Sequence, residues 1–265
     1  MRPPLAHLSQ TDSKKNELQP HLKKTWCIGQ IDASFIARME QILWLYSLPY
    51  DPSLPVVCFD ERPCFLIGEA VTGLEMKARH VARQHYAYEK NGSCALLATI
   101  EPHTGKRLAR VFDQRTKREY ALFMKELAAQ FPEAEKIRLV QDNLNTHNLS
   151  SFYETFSAAE AFALSQRFEF HYTPKSASWL NMIEIEFSAL SKQCLDRRIA
   201  TKEELTKEVL AIVKERAEKA IKITWQFSIE KARIKLNRHY EGVQAKNIRY
   251  KITWFPVYLE FGQQK

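Results

Sequence analysis

The chain of 265 residues is 45% hydrophobic and 26% charged, with a net charge of +8. That balance excludes wholesale disorder and leaves room for one sizeable core with appendages, or for two small domains. The longest purely apolar runs, such as Ala95-Leu96-Leu97-Ala98, are far too short to cross a bilayer, and the N-terminal segment has no apolar stretch of the secretory kind, so a cytoplasmic chain without a membrane partner is expected.

Residues 1–26 are polar and rich in Pro, Lys and Gln, and read as a basic tail. From Asp32 to Leu48, the residues Phe35, Ile36, Met39, Ile42, Leu43, Leu45 and Tyr46 recur at helical spacing. Pro49, Pro52 and Pro55 then lead into a first strand, Val56-Val57-Cys58-Phe59, that closes on Asp60. The stretch from Arg62 to Lys90 has mixed signals. Ser93–Ile100 and Arg107–Phe112 flank the turn Pro102-His103-Thr104-Gly105 and predict a hairpin. Tyr120, Phe123, Met124, Leu127 and Ala128 predict a helix ending near Pro132. Ile137–Gln141 is a strand that closes on Asp142. Ser157-x-x-Glu160 is a capping box opening a helix to about Gln166, and Phe168–Tyr172 is a short strand stopped by Pro174. A helix from Trp179 or Leu180 carries Glu184. Thr201-x-x-Glu204 caps another, to about Ile221, and a last one runs from Ser228 to Arg238.

The order is strand, hairpin, helix, strand, helix, strand, helix, with acids after the first and fourth strands and on the helix that follows the fifth. It predicts an α/β chain with the ribonuclease H-like fold, a mixed five-stranded sheet flanked by helices, plus a helical C-terminal extension. Strands that end in acids deliver them to the edge where open α/β sheets bind ligands. Asp60, Asp142 and Glu184 are therefore the candidate catalytic and metal-binding residues. Three carboxylates suit a pair of Mg²⁺ ions, with Mn²⁺ as a substitute, and such a pair can clamp the attacking and leaving oxygens of a phosphodiester. Glu186 is the competitor for the third position. On a helix it points about 200° away from Glu184. Ile183, Phe187 and Leu190 mark the buried side, Glu184 shares a face with Asn181, and Glu186 is expected to be solvated. Asn143, His147 and Asn181 are candidate supporting residues. Trp179 either packs or stacks on a base.

The five cysteines (Cys27, Cys58, Cys64, Cys94 and Cys194) form no CxxC pair and no Cys/His ligand spacing, so reduced thiols are expected. The positive charge lies at the two ends: +3 over residues 1–26 and +6 over 201–265, against −1 between them. Basic flanks around an acidic site suit a polyanion such as DNA, because neutralised phosphates release counterions. Within the C-terminal flank, Lys231, Lys235 and Arg238 form one stripe and are candidate DNA contacts.

Several motifs carry a family resemblance. They are Lys14–His21, Tyr50-Asp51-Pro52 leading into Val56–Glu61, Gln141-Asp142-Asn143 with His147, and above all Phe170–Lys175 continuing through Ser178-Trp179-Leu180-Asn181-Met182-Ile183-Glu184. From about Lys14 to Tyr240 the chain resembles bacterial insertion-sequence transposases of the Tc/mariner superfamily, with a DDE catalytic domain and a shortened N-terminus. The resemblance maps the family's third acid onto Glu184. It implies Mg²⁺-dependent cleavage at transposon ends, strand transfer into target DNA, double-stranded DNA as partner, a homo-oligomer on that DNA, and a bacterial chain associated with the nucleoid when acting. It divides the chain into 1–26, the remnant of a helix-turn-helix region; 27–200, the catalytic domain; and 201–265, the basic helical extension. Two departures stand out. Asp142 and Glu184 are 42 residues apart, more than in the better-known members, with the excess around Ser157–Arg167. The helix-turn-helix region that reads transposon ends is represented only by Lys14–His21. The alternatives are a catalytically idle DNA-binding or assembly relic, or a ribonuclease H-like nuclease unconnected with transposition.

Overall fold

The computed structural model describes residues 31–74, 79, 81, 83 and 85–248. The 1–26 tail with Lys14–His21, and the segment around Trp254-Phe255-Pro256, lie outside the described residues. In chain order the elements are α1 (Ala33–Ser47), β1 (Val56–Glu69), β2 (Tyr88–Glu101), β3 (Lys106–Phe112), α2 (Lys117–Gln130), β4 (Ile137–Gln141), α3 (Ser150–Thr155), α4 (Ala158–Ser165), β5 (Phe168–Tyr172), α5 (Ile183–Leu190), α6 (Lys202–Glu218), α7 (Ile229–Lys235) and α8 (Asn237–Ile248). The strands form one sheet in the order β3-β2-β1-β4-β5. β2 pairs antiparallel with β1 and β3, while β4 pairs parallel with β1 and β5. This is the mixed five-stranded, helix-flanked sheet of the ribonuclease H-like fold.

Alternation along the strands sorts the core into two layers. Cys58, Leu96, Ala98 and Ile100 face α5 and α6, where Ile183, Phe187, Leu205, Val209 and Val213 are buried. Val57, Phe59, Ala95 and Leu97 face α2, where Tyr120, Phe123, Met124 and Leu127 are buried. Residues 202–213 thus share the main core. A third cluster packs α1 (Phe35, Met39, Leu43) against Ala232 and Leu236.

Helix starts are set by side-chain caps. The Phe35 amide donates to Asp32 Oδ1 (2.7 Å), the Glu160 amide to Ser157 Oγ (3.3 Å) and the Glu204 amide to Thr201 Oγ1 (3.2 Å). The 157–167 stretch that lengthens the Asp142–Glu184 spacing is accommodated as α4, whose Ala161 and Leu164 pack on the α2 side of the sheet. The turn between β2 and β3 is held by buried Glu101, which accepts from the His103 (2.9 Å) and Thr104 (2.7 Å) amides. Gly105 has φ +80°, and a Cβ there would come within 2.9 Å of backbone atoms of Ala220 and Ile221.

Three expectations are corrected. β1 does not end at Asp60: it continues to Glu69 against a β2 that begins at Tyr88, absorbing much of the unreadable 62–90 stretch. Pro63 fits inside it because the β4 pairing stops at Cys58, leaving one edge of β1 open. The Glu184 helix begins at Ile183, since Ser178–Leu180 is a separate 3₁₀ turn and Asn181 is extended. The expected helix from Ser228 to Arg238 is broken at Leu236 (φ −110°, ψ 19°), so Arg238 belongs to α8. Among the described residues, no helix is long and apolar enough to cross a membrane, and Cys58, Cys64, Cys94 and Cys194 are buried free thiols.

Candidate active site

The register of the central strands brings the first two acids together. Val56, Val57 and Cys58 align with Arg138, Leu139 and Val140. Two residues past the last pair, Asp60 and Asp142 come to the same end of the two strands, and both line one cleft. Asp60 is mid-strand with respect to β2, yet it lies just past the end of the pairing with β4, which is the feature the position requires. Glu184 arrives in the first turn of α5, where the helix dipole favours a carboxylate. That turn is fixed to β1 by Asn181, buried, whose Nδ2 donates to Phe59 O (2.8 Å). The Tyr46 hydroxyl on α1 donates to Leu180 O (2.9 Å) and holds the approach from the other side.

The acids feel one another. Burial pushes the Asp60 carboxyl up to about 7, and the negative charges of Asp142 and Glu184 add to the effect; the Glu61 amide, which donates to Asp60 Oδ1 (2.8 Å), and His147 oppose it. The fold therefore brings Asp142 and Glu184 within electrostatic reach of Asp60. Among the described residues, no three Asp, Glu, His or Cys side chains already stand in metal-ligand geometry. In this conformation one oxygen of Asp60 is taken by the Glu61 amide and one of Asp142 by His147.

His147 is fully buried, with its ring stacked on Tyr120 (centroids 4.9 Å) and edge-on to Phe59 (5.1 Å). Nδ1 meets Asp142 Oδ1, and Nε2 lies 3.5 Å from Glu61 Oε2, which is ion-pair distance but not a well-directed hydrogen bond. Burial alone would lower the pKa of this imidazole. The two carboxylates outweigh burial and raise it to about 9.

Asp60, Asp142, Asn143 and Asn181 line a cleft of about 530 Å³ whose other walls include Arg38 from α1 and Lys175, Ser176 and Ser178 from the loop after β5. Glu184 is not part of that wall. Arg38 and Asn143 are exposed, as is Lys175. Trp179, which is not part of the cleft lining, packs edge-on against Phe227 (centroids 5.6 Å) while remaining 37% exposed. Lys231, Lys235 and Arg238 are exposed and away from the cleft lining, and Lys231 Nζ donates to Gln226 O (2.7 Å).

Glu186 is a correction. It is 1% exposed, not solvated, and accepts paired hydrogen bonds from Arg107 (3.0 and 3.1 Å) and Arg216 (2.7 and 3.0 Å). Helical spacing cannot show this, because the arginines come from β3 and α6. The sequence reading also passed over Glu61, Arg38 and Lys175. Glu61 and Lys175 lie in motifs that the sequence singled out, Val56–Glu61 and Phe170–Lys175, without a role being assigned to either; Arg38 lies in none.

The sheet is of the ribonuclease H-like kind, and Asp60, Asp142 and Glu184 lie within electrostatic reach of one another near the point where β1 and β4 part. Residues 55–206 match the family described as DDE superfamily endonuclease, and the chain belongs to that family. Among solved structures, it is similar to the chain in the crystal structure of the Mos1 mariner paired end complex with Mn. That match has a TM-score of 0.51 and 12% identity, and covers 92% of this chain and 74% of that one. The Mos1 transposase paired-end complex with left transposon end is similar at a TM-score of 0.50 and 12% identity, over 91% and 74%. Likeness at this identity is a likeness of fold. No curated protein matches the chain by sequence.

Proposed function

We propose that the chain is the catalytic part of a transposase of the Tc/mariner kind, which cuts DNA strands at the ends of its element and joins them to target DNA. The observation that carries this reading is the placement of Asp60, half-buried beside Asp142 on the wall of a cleft that also presents Arg38 and Lys175, with burial and the charges of Asp142 and Glu184 pushing its carboxyl up to about 7. Three oxygen donors whose mutual repulsion a cation would relieve fit a hard divalent ion, so Asp60, Asp142 and Glu184 would hold two Mg²⁺, or Mn²⁺ in their place. Such ions, when bound, stabilise charge on the attacking and leaving oxygens of an in-line displacement.

The chain's own residues do the rest. Asn181 fixes the first turn of α5 against β1 and so sets Glu184 relative to Asp60. Arg38 and Lys175 hold phosphate oxygens in the same cleft, which Asn143 also lines. The exposed basic residues Lys231 and Lys235 on α7 and Arg238 on α8 contact DNA phosphates outside the cleft, adding affinity without reading sequence. The partner is double-stranded DNA, element ends and target, and the chain acts as a homo-oligomer on it. Residues 27–200 carry the chemistry; 201–265 add basic surface; and 1–26 are the trace of a helix-turn-helix region.

The test is nicking of a labelled duplex that carries the element's own ends. Mg²⁺ and Mn²⁺ should support cleavage and joining, Ca²⁺ should not, and Asp60→Ala, Asp142→Ala and Glu184→Ala should each abolish both. Full activity in any of the three variants, or activity that survives chelation, contradicts the proposal. Cutting that ignores the ends and never joins strands marks a plain nuclease, and no cutting at all marks a relic.

A further inference from the structure

Consecutive residues of a strand point to opposite faces, and Asp60 and Glu61 divide in this way. Asp60 faces the cleft. Glu61 shares the other face with Val57 and Phe59, above α2. Its side chain is 6% exposed, and it is not isolated: Arg115, just before α2, approaches Oε1 at 3.1 Å, and His147 Nε2 lies 3.5 Å from Oε2. The other ring nitrogen of His147 engages Asp142. A chain of alternating charge thus runs from solvent to the candidate metal site: Arg115, Glu61, His147, Asp142.

The imidazole has little freedom. Phe59 and Tyr120 confine the ring, and the His147 backbone carbonyl accepts from Gln141 Nε2 (3.0 Å), whose own Oε1 accepts from the Tyr120 hydroxyl (2.9 Å). Only an imidazole with both nitrogens protonated presents a donor to each carboxylate. With Glu61 removed, Nε2 would lose the one carboxylate facing it, and the ring would lose a restraint on the side opposite Asp142.

On the reading of Asp142 as a metal ligand, we propose that Glu61 is a positioning residue. Acting through His147, it holds the Asp142 carboxylate in the orientation that binds the cation. β1 would then serve Asp142 from both faces, with Asp60 as fellow ligand and Glu61 as remote support. Groups that orient a ligand from behind commonly change metal affinity by about 10–100-fold when lost.

The experiment is a Mn²⁺ titration of the full chain without DNA, followed by electron paramagnetic resonance, alongside thermal melts. Glu61→Ala should weaken Mn²⁺ binding by about tenfold or more. Glu61→Gln, which keeps the reach and an acceptor for Nε2–H, should stay within about threefold of the wild type on the same scale. Glu61→Asp, which keeps the charge but withdraws it by one methylene, should weaken binding like Glu61→Ala and stands in for it if that variant does not fold. In a His147→Gln background, Glu61→Ala should add nothing, because Glu61 acts only through the imidazole. Unchanged affinity in folded Glu61→Ala or Glu61→Asp, or an additive loss in the His147→Gln background, overturns the proposal. Asp142→Asn separates the two levels: if it binds Mn²⁺ like the wild type, the reading of the site has failed, whatever Glu61 does.

Discussion

Asp60 provides a signed and quantitative test. In the unfolded chain its carboxyl titrates at about 3.9. In the fold, burial and the charges of Asp142 and Glu184 push it up to about 7. The folded protein therefore keeps a proton that the unfolded chain has released, and metal-free stability falls as pH rises between these values. Below both, the two states are equally protonated and the cost vanishes. Above about 7 the cost is complete. Asp60→Asn removes it while retaining an oxygen that can accept from the Glu61 amide. The linkage relation makes the variant more stable than the wild type by about 1.5 kcal/mol at pH 5 and about 4 kcal/mol at pH 8. Relaxation around the ionised group makes these upper values. The assay is urea unfolding in chelator at pH 5, 6, 7 and 8, with each variant compared with the wild type at the same pH so that other titrating groups cancel. In melting temperature, the gap should widen by about 5–10 °C across that range, at about 2–4 °C per kcal/mol. A gap that is flat with pH, or a variant less stable than the wild type at pH 8, would refute the reasoning. Saturating Mg²⁺ should stabilise the wild type and leave Asp60→Asn nearly unmoved.

Other consequences are equally specific. Removing the shared partner of two arginines leaves buried charge uncompensated, so Glu186→Ala should cost about 3–5 kcal/mol in chemical unfolding. Burial would raise the Glu186 pKa, but hydrogen bonds from Arg216 and Arg107 outweigh it and lower the value. The stability Glu186 contributes is thus complete above the usual carboxylate range and is lost as pH falls through its depressed value, which a wild-type acid titration compared with Glu186→Gln would read out. Asn181→Leu leaves Phe59 O without its donor; it should cost about 1–3 kcal/mol and lower cleavage by misplacing Glu184. Replacing Lys231, Lys235 and Arg238 together should weaken binding to all duplexes alike and flatten the salt dependence by about 0.9 per lost phosphate contact, in a titration comparing terminal-repeat with scrambled DNA. A hundredfold preference for the repeat in the wild type would show that base reading resides in this chain.

What could be read from the sequence followed the range of the interactions involved. Short apolar runs closing on Asp60 and Asp142, capping residues such as Ser157 and Thr201, and the Leu180-Asn181-x-x-Glu184 context are local, and they led to the fold and to the acids. The extended halves of β1 and β2 were hidden because an open edge and a solvated arm remove the burial that makes alternation visible: Phe65 is 72% exposed and Tyr88 49%. Glu186 was misjudged because its partners lie 79 and 30 residues away in sequence, on other elements. Glu61 stood at the end of the Val56–Glu61 motif, but its approach to His147 was hidden because it depends on the loop after β4 returning His147 beneath β1. The break at Leu236 could not be anticipated either, because the apolar spacing of Ile229, Ala232 and Leu236 continues through it.

The most direct test of the central claim is a crystal of the chain grown with Mn²⁺ and measured at a wavelength where manganese scatters anomalously. The account predicts anomalous peaks between β1, the end of β4 and the first turn of α5, with carboxylate oxygens of Asp60, Asp142 and Glu184 at about 2.0–2.2 Å. Peaks held by other side chains, or a fully loaded crystal in which Asp60, Asp142 and Glu184 touch no metal, would contradict it.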